Sequence, residues 1–155
     1  MIEIKKNPNG DTRTAPKDVT FERFQEANDM HIADVAAVMY ELSRMVGSAG
    51  SSHDCTKKCQ ERMFYKDFKD TIENGADFVN GEWYQMHVTA ERHHLLSHCP
   101  NDVNLIDVLE MIADCTCAGL ARSGEIRGLE INNDILNRAV KNTAELIKSI
   151  LVVKE

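Results

Sequence analysis

LIDVLEMIADCTCAGLA, residues 105–121, is the stretch that decides the fold. It is long and mostly apolar, as expected of a helix at the centre of a core. Asn101 or Asn104 precedes it and is suited to cap its N-terminus, and Gly124 interrupts the pattern beyond its end. We therefore predict a central core helix here.

Helical patterns also lie on both sides of this stretch. Thr20 is a suitable N-cap for a first helix, which we expect the glycine- and serine-rich run VGSAGSS (46–52) to end. The other predicted helices are a charged segment from His53 to Asn74-Gly75, one from about Val79 to His94, and ILNRAVKNTAELIKSILVV (135–153). No strong strand pattern is present, so the sequence predicts an all-α fold, a single bundle of five to six helices.

Domain organisation follows from length and composition. The chain has 155 residues, which is typical of one domain. Residues 1–18 are polar and contain Pro8, Gly10 and Pro16, so we predict an extended arm or a short strand there. Residues 19–155 form the predicted helical domain.

Charge and cysteine content narrow the classes of partner. A net charge of -7 disfavours nucleic-acid binding by charge, although bound divalent cations would still allow a small phosphorylated substrate. No apolar run is long enough for a membrane span, and five cysteines cannot all pair with each other. We expect a cytoplasmic protein with reduced thiols and no membrane partner. The apolar C-terminal helix could cap the core or form a face of a homo-oligomer.

The histidines are the candidate metal ligands. His53 and Asp54 are adjacent, and imidazole with carboxylate is a common ligand pair for transition metals. His31 shares a helix face with Val35 and Val38 and is predicted to face the core. Each of these residues also has an explanation without a metal. His31 could be a buried histidine that is hydrogen-bonded to a backbone carbonyl, and the His-Asp doublet could merely cap a helix.

Carboxylates on the central stretch extend this set. Asp107 and Asp114 are seven residues apart and lie on one stripe of a helix, which Glu110 borders. Buried carboxylates need a cation, a metal or a good donor. We predict Asp114 as a ligand, Asp107 as an acceptor that orients a histidine, and Glu110 as a residue near the site or a surface charge.

Further candidates follow from helix geometry. If the third helix continues far enough, His87 and His94 share a face, so they are favoured over His93 as ligands. The Cys99-Pro100 stop could bend the end of this helix, so His93 stays the second choice. Lys57 could hold a substrate phosphate or be a solvated lysine. A less favoured zinc site would use Cys55 and Cys59 with help from the pair Cys115 and Cys117.

The residue set resembles the HD-domain superfamily of metal-dependent phosphohydrolases. The helix histidine, the His-Asp doublet and the distant aspartate of that pattern fall on His31, His53-Asp54 and Asp114, and Lys57 matches the HDxxK form. More narrowly, QMHVTAERHHLLSHCPNDVNLIDVLEMIADCTCAG (85–119) resembles a small uncharacterised group of phages and bacteria. The chain departs from that group at Cys115-Thr116-Cys117, where a tryptophan and a basic residue are common.

The resemblance implies an HD-like bundle that binds one or two divalent transition-metal ions (Mn, Fe, Co, Ni or Zn). It implies hydrolysis of a small nucleotide or related phosphoester, in the host cytoplasm if the protein is phage-encoded. It implies that Asp54 and Lys57 are catalytic residues and that Arg92 and Arg122 contact the substrate. The metal ligands that it implies are His31, His53, Asp54, His87, His94 and Asp114. The alternatives are a di-iron oxygenase and a non-catalytic, metal-stabilised interaction protein.

Overall fold

Helix α5, Leu105–Ser123, is the predicted central helix. In this computed structural model, which describes residues 1–126 and 128–154, Asn104 caps it by accepting from the backbone N–H groups of Ile106 and Asp107. The Asp107 carboxylate in turn accepts from the N–H of Asn104, at 2.9 Å. Arg127 and Glu155, which belong to the predicted domain of residues 19–155, lie outside the described residues.

The described parts of the chain form six α-helices and two short strands, which confirms the predicted all-α class and helix number. Their bounds are β1 Ile2–Lys5, α1 Phe21–Ser52, α2 Cys55–Cys59, α3 Glu61–Asn74, α4 Glu82–Ala90, α5, α6 Asn133–Ser149 and β2 Leu151–Lys154. Two 3-10 turns lie at Pro8–Gly10 and Phe78–Asn80. Within residues 1–126 and 128–154, every helix is too short or too polar to cross a lipid bilayer.

The chain divides into two compact units. Unit 1 comprises Met1–Met45 and the residues from Ala144 onward, and unit 2 comprises Val46–Thr143. The predicted separation of residues 1–18 from 19–155 stays a prediction, because both of those segments contribute to unit 1.

Unit 1 contains a two-stranded parallel sheet. Ile2 lies opposite Leu151, and Lys5 lies opposite Lys154. The prediction that residues 151–153 continue the last helix was therefore wrong, since α6 ends at Ser149. The Leu-Val-Val segment favours a strand because its β-branched side chains suit a pleated backbone, and β1 supplies the partner.

Helix α1 continues through the glycine- and serine-rich run that was predicted to end it. It ends only at Ser52. Each helical glycine costs about 1 kcal/mol relative to alanine, which a long helix can absorb. The hydroxyl of Ser51 donates to the carbonyl of Gly47 at 2.8 Å, and that of Ser52 donates to the carbonyl of Ser48 at 3.0 Å.

The core of unit 2 packs against one face of α5. Its buried members are Leu95, Val103, Val108, Met111 and Ala139. Within unit 2, the start of α5 is held to α6, because the Leu105 N–H donates to the Thr143 hydroxyl at 2.9 Å. The opposite face of α5, with Leu109 and Ile112, is exposed.

Helix α4 is shorter than predicted. It ends at Ala90, and Glu91 adopts an extended conformation as its C-cap. Residues 91–98 form turns, so the prediction of a helix through His94 was wrong. The turn brings Leu95 into the core, where only 2% of its surface is exposed.

Candidate metal centre

The His-Asp doublet lies in the turn between α1 and α2. Asp54 has φ 54° and ψ 32°, the left-handed region that aspartate tolerates better than most residues. Its side chain makes no capping hydrogen bond to α2 and is only 13% exposed. The alternative that this carboxylate merely caps a helix was therefore wrong, and its charge is available to groups deeper in unit 2.

Imidazoles surround the Asp54 carboxylate. Oδ2 is 3.2 Å from Nε2 of His53, and Oδ1 is 3.3 Å from Nε2 of His87 and 3.6 Å from Nε2 of His93. Nε2 of His94 is 2.8 Å from Nε2 of His87. Two sets of ligand atoms result, each within 4.8 Å: the His53 group (His53, Asp54, His93) and the His87 group (Asp54, His87, His94).

The polar atoms at the centre of these groups fit a divalent metal. Oδ1 of Asp54 is buried and has no hydrogen-bond partner within the described residues, and neither ring nitrogen of His93 has one. An unpaired buried carboxylate oxygen is costly, and several imidazole nitrogens aimed at it are most simply satisfied by a shared cation. Imidazole and carboxylate ligands together suit Mn, Fe, Co, Ni or Zn.

Glu110 on α5 orients the His53 group. Its Oε1 accepts from Nδ1 of His53 at 3.0 Å. The same oxygen lies 3.1 Å from Nδ1 of His93, a close approach that misses hydrogen-bond alignment. With the Nδ1 proton of His53 directed to Glu110, the Nε2 lone pair of that ring faces Asp54, as a metal ligand requires.

Thr56 and Glu91 orient the His87 group. The hydroxyl and the backbone N–H of Thr56 both donate to Oε1 of Glu91, at 2.6 and 2.9 Å. Because the proton of the Thr56 hydroxyl is donated to Glu91, the Thr56 hydroxyl oxygen accepts from Nδ1 of His87, at 2.6 Å. Trp83 stacks on the His87 ring with centroids 4.5 Å apart, which fixes the ring plane.

The two groups differ in their protonation. Burial lowers the pKa of His87, and burial followed by the neighbouring imidazoles His93 and His87 lowers the pKa of His94 to about 4. Burial also acts to lower the pKa of His53, but the Glu110 hydrogen bond and the charges of nearby carboxylates outweigh it and raise that pKa. Burial acts to raise the pKa of Asp54, yet Lys57 and the nearby imidazoles lower it overall.

His31 is in neither ligand group. It lies on α1 in unit 1 and is exposed, so the prediction of a core-facing histidine was wrong. The physical reason is that α1 leaves much of its apolar face in contact with solvent: Val35 on that face is 47% exposed. About six turns of continuous helix separate His31 from Ser52, the last residue before the doublet.

The other predicted ligands lie around the His-Asp doublet. His94 lies in one group with His87, and His93, the second-choice ligand, lies in the other, because α4 ends at Ala90 and the turn that follows brings both rings to the carboxylate. Asp114 belongs to neither group of three, but its Oδ1 lies 3.6 Å from Nε2 of His53.

Asp107 orients an arginine and not a histidine, which corrects its predicted role. Its two carboxylate oxygens accept from Nε and Nη2 of Arg92, each at 2.8 Å. Arg92 also pairs with Asp102 at 3.1 Å, and these hydrogen bonds, led by those to Asp107, raise the pKa of the guanidinium. Arg92 is thus engaged in joining the 91–98 turns to the start of α5.

The cysteines do not assemble the alternative zinc site. In the part of the chain that the structure describes, neither metal-ligating group contains a cysteine. Cys59 and Cys117 are exposed, and the thiol of Cys55 donates to Glu91 at 3.5 Å.

A cleft of about 170 Å³ reaches the His87 group. Lys57 and Arg122 supply two cations to its wall, which Asp114 and the imidazoles of His87 and His94 also line. Aromatic side chains form the rest of this basic cleft: Phe64, Phe78, Trp83 and Tyr84. Lys57 also forms an ion pair with Oδ2 of Asp54.

Sequence reasoning did not single out Thr56 and Glu91 as site residues. Two signals could have found them. Thr56 lies between the doublet and Lys57, in the first turn of α2 and two residues after Asp54. Glu91 follows His87 by four residues, which is one helical turn, and α4 ends one residue before it.

The comparisons with known proteins place the chain in a family without giving it an activity. No curated protein and no solved structure matches the chain. Residues 20–152, which include both ligand groups, match the model of a family of unknown function, DUF5662. The chain therefore belongs to the DUF5662 family.

Proposed function

We propose that the protein is a metal-dependent phosphohydrolase of the HD type, acting on a small nucleotide or a related phosphoester. The observation that carries the proposal is the Asp54 carboxylate, which is shared by two histidine groups and has a buried oxygen without a hydrogen-bond partner. The basic cleft beside it supports a substrate with negative charge.

The chain's own residues then have distinct tasks. Asp54 would bind both ions, with His53 and His93 on one and His87 and His94 on the other. Divalent ions in such sites lower the pKa of a bound water toward neutrality and neutralise charge on phosphoryl oxygens. Asp114, beside His53, would complete the ligand set on that side.

Lys57 and Arg122 would bind the phosphate. Both line the basic cleft next to His87 and His94, so an anion there would lie within reach of two cations. Lys57 is paired with Asp54 in this structure. A metal held by Asp54 would compete for the same carboxylate and leave the ammonium group available to the substrate.

The test combines metal analysis with a substrate screen. The purified protein is assayed, with added Mn or Co, for phosphate release from nucleoside mono- and triphosphates and from simple aryl and alkyl phosphates, and for opening of cyclic nucleotides. We expect turnover that EDTA abolishes and that Asp54→Asn removes. A chain that binds metal through Asp54 but turns over no phosphoester would contradict the proposal.

The two alternatives give different results in the same experiment. A di-iron oxygenase would be purified with two equivalents of iron and a visible absorption band, and it would consume oxygen. A structural metal centre would lose thermal stability on chelation while the substrate screen stayed blank.

A further inference from the structure

A second cavity reaches the candidate metal centre and shares Asp114 alone with the lining of the basic cleft. It encloses about 280 Å³ between the end of α1 and the exposed side of α5. Its walls are aliphatic or small, formed by Val46, Ala49, Gly50, Ile106, Leu109 and Ala113. Its polar end is formed by His53, Glu110 and Asp114, so the apolar pocket opens onto the His53 group.

The apolar pocket and the basic cleft have opposite chemistry. The basic cleft presents two cations and four aromatic rings, whereas the wall of the apolar pocket has few hydrogen-bonding groups away from its polar end. A nucleobase in the apolar pocket would lose hydrogen bonds to water and gain few in return. A hydrocarbon group would lose none and would bury apolar surface.

Asp114 connects these two spaces. Its side chain lines both the apolar pocket and the basic cleft, and its carboxylate lies 3.6 Å from Nε2 of His53. A phosphoryl group held at the ligand groups would therefore border both the basic cleft and the apolar pocket.

We infer that the substrate carries an aryl or alkyl group on its phosphate, and that the apolar pocket binds this group. The inference rests on the proposed function, since it assigns the substrate class of the same centre. The volume sets the size of the group. A cavity of about 150 Å³ in another protein holds benzene, so this pocket admits a substituted ring or a short alkyl chain.

Two glycines of α1 provide a matched pair of variants. Gly50 lines the pocket and Gly47 does not, and a Cβ added at either position meets no atom within 4 Å. Both lie within the helix, so Gly50→Leu and Gly47→Leu remove the same conformational freedom. Only the side chain added at position 50 occupies the pocket.

The experiment measures binding of two phosphonates that cannot be hydrolysed. Benzylphosphonate and ethylphosphonate share one charged group and differ in the size of the apolar part. Calorimetry on the Mn-loaded protein gives both dissociation constants. We expect benzylphosphonate to bind about tenfold more tightly, as burial of part of a ring predicts. Gly50→Leu should reduce the preference to about twofold, and Gly47→Leu should keep it.

The outcomes separate this inference from the proposed function. Equal affinities for the two phosphonates in the unmodified protein would overturn the inference, and so would an equal loss of preference in both variants. If Gly50→Leu does not fold, Ala113→Leu fills the same pocket from α5 and is subject to the same criteria. The proposed function fails on separate grounds, when no phosphoester is hydrolysed, whatever the phosphonate preference is.

Discussion

The His53 group and the His87 group share Asp54 but are held by different chemistry. A carboxylate, Glu110, orients His53 and lies against His93. A neutral hydroxyl, that of Thr56, orients His87, with the Glu91 charge one hydrogen bond further away. The difference teaches that two candidate ligand groups built on one aspartate need not be equivalent.

The electrostatic consequence is opposite for the two groups. Negative charge from Glu110 and Asp114 surrounds His53 and raises its pKa, whereas burial lowers the pKa values of His87 and His94. The additional carboxylates favour a divalent cation in the His53 group. We expect this group to bind the first equivalent of metal.

Removal of the shared carboxylate should give the largest effect. Asp54→Asn keeps the shape of the side chain but removes the charge that both groups use, so metal affinity should fall by more than about 100-fold for both equivalents. Metal content after dialysis, measured by mass spectrometry, checks this.

The choice of asparagine keeps the backbone intact. Position 54 has a positive φ, and asparagine tolerates that region as well as aspartate does. The far-UV circular dichroism should therefore stay helical. An Asp54→Asn protein with the metal content of the unmodified chain would contradict the assignment of both groups.

Glu110→Gln should affect only the His53 group. An amide is a weaker acceptor for the Nδ1 proton of His53 and supplies no charge, so the affinity for the first metal equivalent should fall by about 10- to 100-fold. Calorimetric titration with Mn measures the two equivalents separately. Glu125→Gln makes the same charge change at an exposed position and should have no effect.

Thr56→Val should affect only the His87 group, and by less. Valine keeps the volume but leaves Nδ1 of His87 without its acceptor, so the affinity for the second equivalent should fall by about tenfold. Thr56→Ser restores the hydroxyl and should restore the affinity. Equal losses of both equivalents in Thr56→Val would show that the two groups are not separately oriented.

The pH dependence of stability should also separate the groups. In EDTA, the unfolded chain takes up protons on His94 below pH 6.5, while the folded chain does so only near pH 4, so the unfolding free energy falls as pH falls through this window. His53 has a raised pKa in the folded chain. Its contribution to the unfolding free energy is therefore fully present below pH 6.5 and is lost as the pH rises through the pKa of the folded chain. Denaturant titrations at a series of pH values measure the unfolding free energy. His94→Gln should weaken its pH dependence on the acidic side, and His53→Gln should weaken it on the alkaline side.

The smallest effect should come from His31→Ala. His31 is exposed and belongs to neither group, so both metal affinities should stay within about twofold of the unmodified protein. His93→Ala is the contrasting variant, because it removes a ligand of the His53 group. If His31→Ala lost as much metal affinity as His93→Ala, His31 would have to be counted as a metal ligand after all.

The fold could be predicted where the local signals were complete. The long apolar run with Asn104 before it and Gly124 after it gave α5 with nearly its observed bounds. Strand β2 could not be predicted, because its pairing depends on residues 2–5 at the other end of the chain. Its two valines suit a strand, but so short a segment after a helix is not distinguished from a further helical turn until the partner strand is known.

The site was predictable in its residue types and less so in its geometry. The doublet, His87 and His94 lie together, as the resemblance implied. His93 and Glu91 depended on where α4 ends, and helix ends are decided by tertiary contacts such as those of Glu91 with Thr56. His31 was placed by helix periodicity, which identifies a face but not what covers it.

The division of the chain into two units also has a consequence for its synthesis. Unit 2 is continuous, from Val46 to Thr143, whereas unit 1 needs residues from both sides of it. On a ribosome, β1 emerges first, and its partner β2 is made roughly ten to thirty seconds later. We therefore expect the histidine-bearing unit to be able to collapse around its ion on the nascent chain, well before the parallel ribbon closes.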